Sequence, residues 1–396
     1  MRVSTNYMYQ QSLNTILDQQ ARINQTQQQI STGKNILKPS DDPSAAAYIM
    51  ALEESYSQTT NFQANADRAK ARLGLEDVAL GDLSNSLQRV HELALQANNA
   101  TQDDQTRTAI ANEVRQVLDG IFQVANLKDP NGEYMFSGFQ TSTPAYSRSA
   151  GVYTYNGDQG QRFVQIGPTR QVPIGDPGTD VFTKILNGNG TFSTAEDPAN
   201  TGTGLIGPGT VVGATSFPET YTITFTTATT YEVRDSGAAL ITAGNYTDGD
   251  GITFDGVEVT INGTPATGDA FTVTNSVNQD IFTTIENLAN ALETTTSSPS
   301  DKAHVQNAIN GSLADIERAL DNTLDVRARV GARLNAIDDQ DQISEGIKED
   351  VQKNLGNIQT LDLAEAISRL NQQMTTLQAA QMSFLKVQNL SLFNSL

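Results

Sequence analysis

Apolar residues recur at alternating spacings of four and three at both ends of this chain. Near the start the series is Tyr9, Leu13, Ile16, Gln20, Ile23, Gln27 and Ile30. A longer one runs Phe62, Ala66, Ala69, Leu73, Glu76, Leu80, Leu83, Leu87, Val90, Ala94 and Ala97, and a third Ile110, Val114, Val117, Ile121 and Val124. Near the end come Leu363, Ile367, Leu370, Met374, Leu377, Gln381, Phe384 and Gln388. A repeat of this kind, sustained this long, is the signature of a coiled coil or a long helical bundle. A helix from about Asp42 to Asn98 would be roughly 85 Å long. No compact domain of 396 residues needs such a helix, so the pattern points to something fibrous or to an assembly.

The terminal series differ from the long one because they place glutamines at core positions. Polar residues in a seam weaken a coil while fixing its register and its choice of partner. The two ends are therefore expected to be marginal alone and to order on association. The expected assembly seam is Leu13, Ile16, Gln20, Ile23, Gln27 and Ile30 against Leu363, Ile367, Leu370, Met374, Leu377 and Phe384.

Composition divides the chain into outer zones that look alike and a middle that looks inserted. No proline occurs between Pro43 and Pro130, whereas the middle is rich in Gly, Thr, Pro and aromatics. Short alternating stretches there, such as "TYTITFTT", "ITFDGVEVTING" and "AFTVTN", read as strands, and "DPNG", "NGD" and "TDGDG" read as turns. The expected fold is mainly α with a β-rich insert: a long antiparallel bundle or coiled coil built from both termini around a central β-rich domain. Its expected divisions are residues 1–40 with 356–396, residues 41–135 with 282–355, and an insert at 136–281.

The chemistry available is narrow. The chain carries 45 acidic against 25 basic residues, so nucleic acid and anionic membranes are disfavoured as partners. Cysteine is absent, which removes disulfides and thiolate chemistry. Apolar runs are too short to span a bilayer, and the first residues lack the apolar core of a secretory signal. His91 and His304 stand apart, without the pairing that a zinc site requires. Asp248, Asp250 and Asp255 suggest a calcium loop, but Ile252 and Val259 occupy positions that need oxygen ligands, so a Gly-rich turn is the better reading. These acids, with Glu258 and Asp269, leave open a glycan-binding or hydrolytic insert, since two carboxylates suffice for glycosidase chemistry. No catalytic, cofactor or metal site is assigned. Arg327, Arg329 and Arg333 form a basic spot for which bidentate pairing with a carboxylate on a neighbouring helix or subunit competes with a solvated helix face.

The stretch "GKNILKPSDDPSAAAYI", residues 33–49, also looks at first like a ligand loop. Each residue has a structural use. Gly33 suits the left-handed residue that ends a helix, and Pro39 disfavours helix at Lys38. Asp42 followed by Pro43 fits a helix cap and first helical residue.

These residues together resemble the flagellin family. The N-terminal match is "RVSTNYMY", "QQQISTGKNILKPSDDPSAAAYI" and "NFQANADRAKARLGLED"; the C-terminal match is "DVRARVGARLNAID" and "LDLAEAISRLNQQMTTLQAAQMSFLKVQNLSLFNSL". Filament flagellins usually carry a "DDAAG"-like segment where this chain has Asp41-Asp42-Pro43-Ser44-Ala45, and they tend to end differently from "LSLFNSL". Both differences favour the branch that forms the hook–filament junction over a filament flagellin subunit, the alternative. The resemblance implies an enzymatically inactive structural subunit that self-assembles in layers with the insert outward. It implies export through the flagellar type III channel to the cell exterior. The implied partners are copies of itself, the hook-side junction protein (hook-associated protein 1), flagellin and a flagellar export chaperone.

Overall fold

The structure, a computed structural model, describes residues 5–99, 101–213 and 220–393, with side chains described between Tyr7 and Lys386. The seam position expected at Gln388 lies outside the described side chains. The described α-helices are α1 (Thr5–Thr32), α2 (Pro43–Ala97), α3 (Asp104–Ala125), α4 (Ile281–Glu293), α5 (Pro299–Gln359) and α6 (Leu363–Phe393). None is long and apolar enough to cross a membrane. Contacts divide the chain into two compact units, Met1–Ala64 with Asp339–Leu396, and Asn65–Asp338. Helices α2 and α5 contribute to both.

In the first unit, α1 stops where Gly33 takes a φ of +68° and its N–H returns to the Gln29 carbonyl at 2.8 Å. Only a residue without Cβ adopts that conformation freely. The two aspartates that follow divide the work of restarting the helix. Asp42 accepts the N–H groups of Ser44 and Ala45 at 3.1 and 3.0 Å, and Pro43 opens α2. Those bonds, the one from Ala45 foremost, hold the Asp42 carboxyl below the usual carboxylate range. Asp41 instead organises the preceding turn by accepting from Leu37 and Lys38 N–H at 3.1 and 3.0 Å. The α5–α6 connection is tied to the same turn. Asn35 donates to Gln359 O at 2.7 Å, and Leu361 donates to Gly33 O at 3.0 Å.

The second unit is organised on α2. From Ala66 to Ala97 the long heptad series is buried throughout, and it packs with Ile110, Val114, Leu118 and Ile121 of α3, Ile285, Leu288 and Leu292 of α4, and Val305 to Ile337 of α5. Leu118 takes the buried place that the spacing assigned to Val117, because an α-helix of 3.6 residues per turn drifts against a strict heptad. The chain after α3 adds strands β1 (Tyr146–Ser149), β2 (Val152–Tyr155), β3 (Phe163–Gln165) and β4 (Gln171–Pro173), paired as two small hairpins, and β5 (Ile185–Leu186). Phe136, Tyr146 and Phe182 from this region share the helical core with Phe282 of α4.

Residues from Phe192 onward build a second apolar core of their own. The strands are β6 (Phe192–Glu196), β7 (Leu205–Ile206), β8 (Thr210–Val211), β9 (Tyr221–Thr227), β10 (Thr230–Arg234), β11 (Leu240–Asn245), β12 (Gly251–Phe254), β13 (Val257–Asn262) and β14 (Ala270–Asn275). An antiparallel sheet runs β11-β10-β9-β14-β6, and β13 pairs with β12, β7 and β8. Alternation is clean: Tyr221, Ile223 and Phe225 face inward, as do Val257, Val259 and Ile261. Asp255 and Gly256, both at positive φ, close the two-residue hairpin between β12 and β13. Strand β15 (Asn278–Gln279) returns to pair with β5.

One member of the α2 stripe is charged. Glu76 sits among three ion pairs: Arg72 with Asp129 at 2.6 Å, Arg162 with Glu133 at 2.8 Å, and Arg333 with Asp176 at 2.7 and 2.9 Å. Each guanidinium already has a carboxylate, so Glu76 is supernumerary. Its Oε1 accepts the Asp176 N–H at 2.9 Å, and its buried Oε2 has no hydrogen-bond partner. Burial first, and the Asp176 carboxylate next, push its carboxyl up to about 8, against the pull of the Asp176 N–H, Arg333 and Arg72. The folded state thus holds this proton more tightly than the unfolded chain does. The group's contribution is fully present below the unfolded value of 4.5 and is lost as pH rises through about 8. Glu76→Gln keeps the shape and removes the charge. By thermal unfolding the variant should match the parent near pH ~4 and exceed it near pH ~9 by on the order of a few kcal/mol. A difference between the two that does not change with pH contradicts this account.

Candidate assembly surface

Helices α1 and α6 run antiparallel. Tyr9 meets Phe384 with ring centroids 4.9 Å apart, Gln19 donates to the Gln373 carbonyl at 3.1 Å, and Arg369 donates to Gln29 Oε1 at 3.0 Å. Further along α2 and α5, within the same unit, Gln352 donates to the Tyr56 hydroxyl at 3.0 Å and Lys348 to Gln63 at 2.9 Å.

The α1–α6 seam is thin and mixed. Ile23, Thr26 and Gln29 are buried on α1, and Ala366 on α6. Ile16, Ile30, Leu370, Leu377 and Phe384 are half-buried. Thr26 donates to Gln373 Oε1 at 3.0 Å, so the centre of the seam is a hydrogen bond rather than an apolar knob. Of the other expected seam residues, Leu13, Gln20, Gln27, Leu363, Ile367 and Met374 stand exposed. On α6 two apolar stripes lie side by side. The intrachain pair uses the stripe that passes through Ala366, Leu370, Gln373 and Leu377, and leaves Leu363, Ile367 and Met374 facing out. On α1 the polar seam positions are Gln19, Thr26 and Gln29 instead of Gln20 and Gln27. Residues 24–29, "NQTQQQ", are polar at every position, so no periodicity there could reveal which of them turns inward.

The exposed apolar surface of this unit is large for helices. Tyr7, Leu13 and Leu17 on α1, Tyr48 and Met50 on α2, and Ile367, Met374, Met382 and Leu385 on α6 are all exposed, Met50 at 68% and Met382 at 62%. A monomer gains nothing from such a surface, and clustered exposed apolar residues mark places of association.

The three arginines lie in the other unit, and two of them are engaged within the chain. Arg327 donates to Asp77 of α2 at 2.8 Å, and Arg333 grips the buried Asp176 bidentately. Arg329 is exposed and makes no ion pair among the described residues. The acids of the insert serve local structure. Asp248 accepts the Gly263 N–H at 2.7 Å, Asp255 accepts the Tyr221 hydroxyl at 3.0 Å, and Asp269 accepts the N–H groups of Thr201, Gly202 and Ala266. Among the described residues, no group of three or more His, Cys, Asp or Glu is placed to hold a metal ion.

Residues 3–141 match the family model "Bacterial flagellin N-terminal helical region", and residues 198–275 match "Flagellar hook-associated protein 1, D2-like domain". Flagellar hook-associated protein 3 of Escherichia coli strain K12 is 24% identical over 394 residues, which is 99% of each chain. The crystal structure of Xanthomonas campestris FlgL is 35% identical and superposes with a TM-score of 0.73, covering 77% of this chain and 100% of that one. Flagellar hook-associated protein-3 of Legionella pneumophila is 32% identical with a TM-score of 0.75, covering 78% of this chain and 98% of that one. With an N-terminal helical region that matches the flagellin model and more than 30% identity to these structures, nearly the whole of which it covers, the chain belongs to the flagellar hook-associated protein 3 (FlgL) family of flagellin-like proteins.

Proposed function

We propose that the protein is a structural subunit of the bacterial flagellum that forms the junction between hook and filament by helical self-assembly. The observation that carries this reading is the terminal helix pair. Its intrachain seam is narrow and partly polar, and a second apolar stripe remains exposed beside it. A surface of that kind is completed by other copies or by neighbouring subunits. In this reading residues 1–40 with 356–396, 41–135 with 282–355, and 136–281 act as successive layers. The contacting subunits are hook-associated protein 1 on one side and flagellin on the other. The chain reaches the cell exterior through the flagellar type III system, held beforehand by an export chaperone at its C-terminal segment, and it performs no catalysis. Threading through a channel suits a chain without cysteine. It also suits terminal helices that bury little on their own.

A strain lacking the gene should build hooks but fail to retain filaments, and flagellin should appear in the medium. Normal filaments on such cells contradict the proposal. Within the chain, Ile367→Glu and Met374→Glu alter side chains that are exposed in the isolated subunit. Thermal stability should stay within about 0.5 kcal/mol of the parent, while incorporation into flagella, read by immunoblot of sheared flagella, should be lost. Incorporation at the parental level shows that the exposed stripe is not the contact. Removal of the last 30 or so residues should leave Asn65–Asp338 folded by circular dichroism and also abolish incorporation.

A further inference from the structure

The described residues between Phe192 and Asn275 have their own apolar core, separate from that of the helices. They leave the helical part through a narrow two-stranded neck. Asn187 N–H donates to Val277 O and Ser276 N–H to Thr191 O, both at 3.1 Å. Gly188 and Gly190 in this neck have φ of +62° and +89°, values that side-chain-bearing residues rarely adopt. Beyond the neck the body touches α5 again near its start, through polar groups. Between the two attachments lies a groove of about 340 Å³ lined by Ser193, Thr194, Glu196, Gln279, Asn307 and Asp315 among others. The neck is pinned to α5 at its base, where the Gly188 N–H donates to Asp315 Oδ1 at 2.7 Å, and beyond that point the second attachment is what fixes the angle of a body packed on itself and separated from the helix by a polar groove.

The hydrogen bonds of that attachment fix its proton content. His304 Nε2 lies 3.1 Å from the Asn200 carbonyl oxygen, which only accepts, so Nε2 carries a proton. His304 Nδ1 lies 2.8 Å from Glu196 Oε1. The other oxygen of that carboxylate, Oε2, accepts from Asn307 Nδ2 at 2.5 Å. A hydrogen bond from the ring to a carboxylate oxygen at Oε1 requires a proton on Nδ1 as well. Both bonds of the imidazole exist together only when the His304–Glu196 pair holds one proton more than a neutral imidazole and a carboxylate would. Without it, the neutral imidazole donates from one nitrogen only, and the other turns a lone pair toward Glu196 Oε1 or toward the Asn200 carbonyl. Asn307 completes the attachment by donating also to Gly204 O at 3.0 Å and by accepting the Ile206 N–H at 2.9 Å.

The charged surroundings of His304 are few. Glu196 faces it from β6. Asp301 lies one turn earlier on α5 and accepts Ser297 and Ser298 N–H, each at 2.8 Å, and the imidazole charge acts on that carboxylate. Asp197, in the turn after β6, is engaged with the Ala199 N–H at 2.9 Å. Lys302 is turned elsewhere and lines a small cavity with Asn98 and Arg107. Among the described residues, the charged groups named around the imidazole are thus the three acids Glu196, Asp301 and Asp197.

We propose that the body formed by residues 192–275 swings on its neck and is fastened to α5 by a proton-dependent latch of Glu196, His304 and Asn307. Loss of the latch proton leaves the imidazole one donor for two acceptors, removes one of its two bonds and frees the body while both apolar cores stay intact. The latch lies wholly within Asn65–Asp338 and does not depend on assembly.

The chain has no cysteine, so two introduced thiols label cleanly. Ala228→Cys in the β9–β10 turn and Gln88→Cys on α2, both exposed sites, carry a donor and an acceptor dye on the full chain. Energy transfer is then compared between about pH 5.5 and about pH 8.5. A single docked distance is expected at the lower pH. The undocked-to-docked ratio should rise with pH by up to about tenfold per pH unit, the limit for one linked proton. Far-UV circular dichroism should not change. His304→Gln should be undocked to the same degree at both pH values. His304→Lys, which keeps a charge at both, should remove the pH dependence while retaining the docked distance. An unchanged distance in the parent across this range overturns the proposal. So does a parental change that persists in both His304 variants, or one accompanied by loss of helical signal.

Discussion

The packing of α2 against α5 is the constraint from which the rest of Asn65–Asp338 follows. A stripe without interruption from Ala66 to Ala97 needs a continuous apolar partner, and α3, α4 and α5 supply it in turn. Burying one large aliphatic side chain stabilises by about 1.5–3 kcal/mol, and Leu73, Leu80, Leu83 and Leu87 on α2 are all fully buried. The stripe therefore tolerates Glu76 in its middle. The carboxyl sits there because the Asp176 N–H, brought in by the chain after β4, binds it. Arg333 on α5 then binds the Asp176 side chain. One buried carboxyl and one bidentate ion pair thus fasten the loop between β4 and β5 to both long helices. In apolar surroundings such a network is worth most as a whole, since removing one member strands the others.

How much was legible in the sequence depended on how completely apolar each seam is. The α2 series reads correctly from residue to residue because every alternative register would bury Asp, Asn or Lys. The start of α2 also reads correctly: Gly33, Asp42 and Pro43 each have one strong local preference, and local preferences are what sequence exposes. Asp41 has no such signature, and its bonds to Leu37 and Lys38 depend on the turn's shape. The ends resist reading for the opposite reason. In α1 the glutamines on either side of the true seam are chemically alike, so Gln19 and Gln20 cannot be told apart by pattern. The α6 sequence carries two apolar stripes, and only the position of α1 decides which is covered within the chain. The strands of the insert were visible as alternation, yet their order was not. The pairing of β14 with both β9 and β6 joins residues far apart in sequence, which no local pattern encodes.

The arginines show the same limit in another form. A basic cluster on a helix announces that carboxylates are wanted but not where they come from. Arg327 finds Asp77 on the facing helix, Arg333 finds Asp176 in a loop, and Arg329 stays in solvent. The exposed Arg327 pair adds little to stability, while the buried Arg333 pair fixes geometry. Identical residue types six positions apart thus have unlike roles, and burial alone separates them.

Contact chemistry across the chain sorts by how conditional each contact is. Where folding must be complete in the free subunit, as along α2, the contact is apolar and continuous. On α1 and α6, the surface proposed to meet other chains, the intrachain seam is thin, its centre is the Thr26–Gln373 hydrogen bond, and apolar residues are left outside. Where a body is joined to the helices by its neck and a patch on α5, the contact is polar and contains a titratable group. Polar contacts are nearly as well satisfied by water as by each other, so they can be released without unfolding what they join. Apolar cores cannot be released in that way. A chain of low aromatic content and high acidity has only a limited apolar surface to distribute. Spending it on α2 and on the insert's interior, and not on the termini or on the junction at His304, gives a subunit that is rigid within each core and adjustable between them.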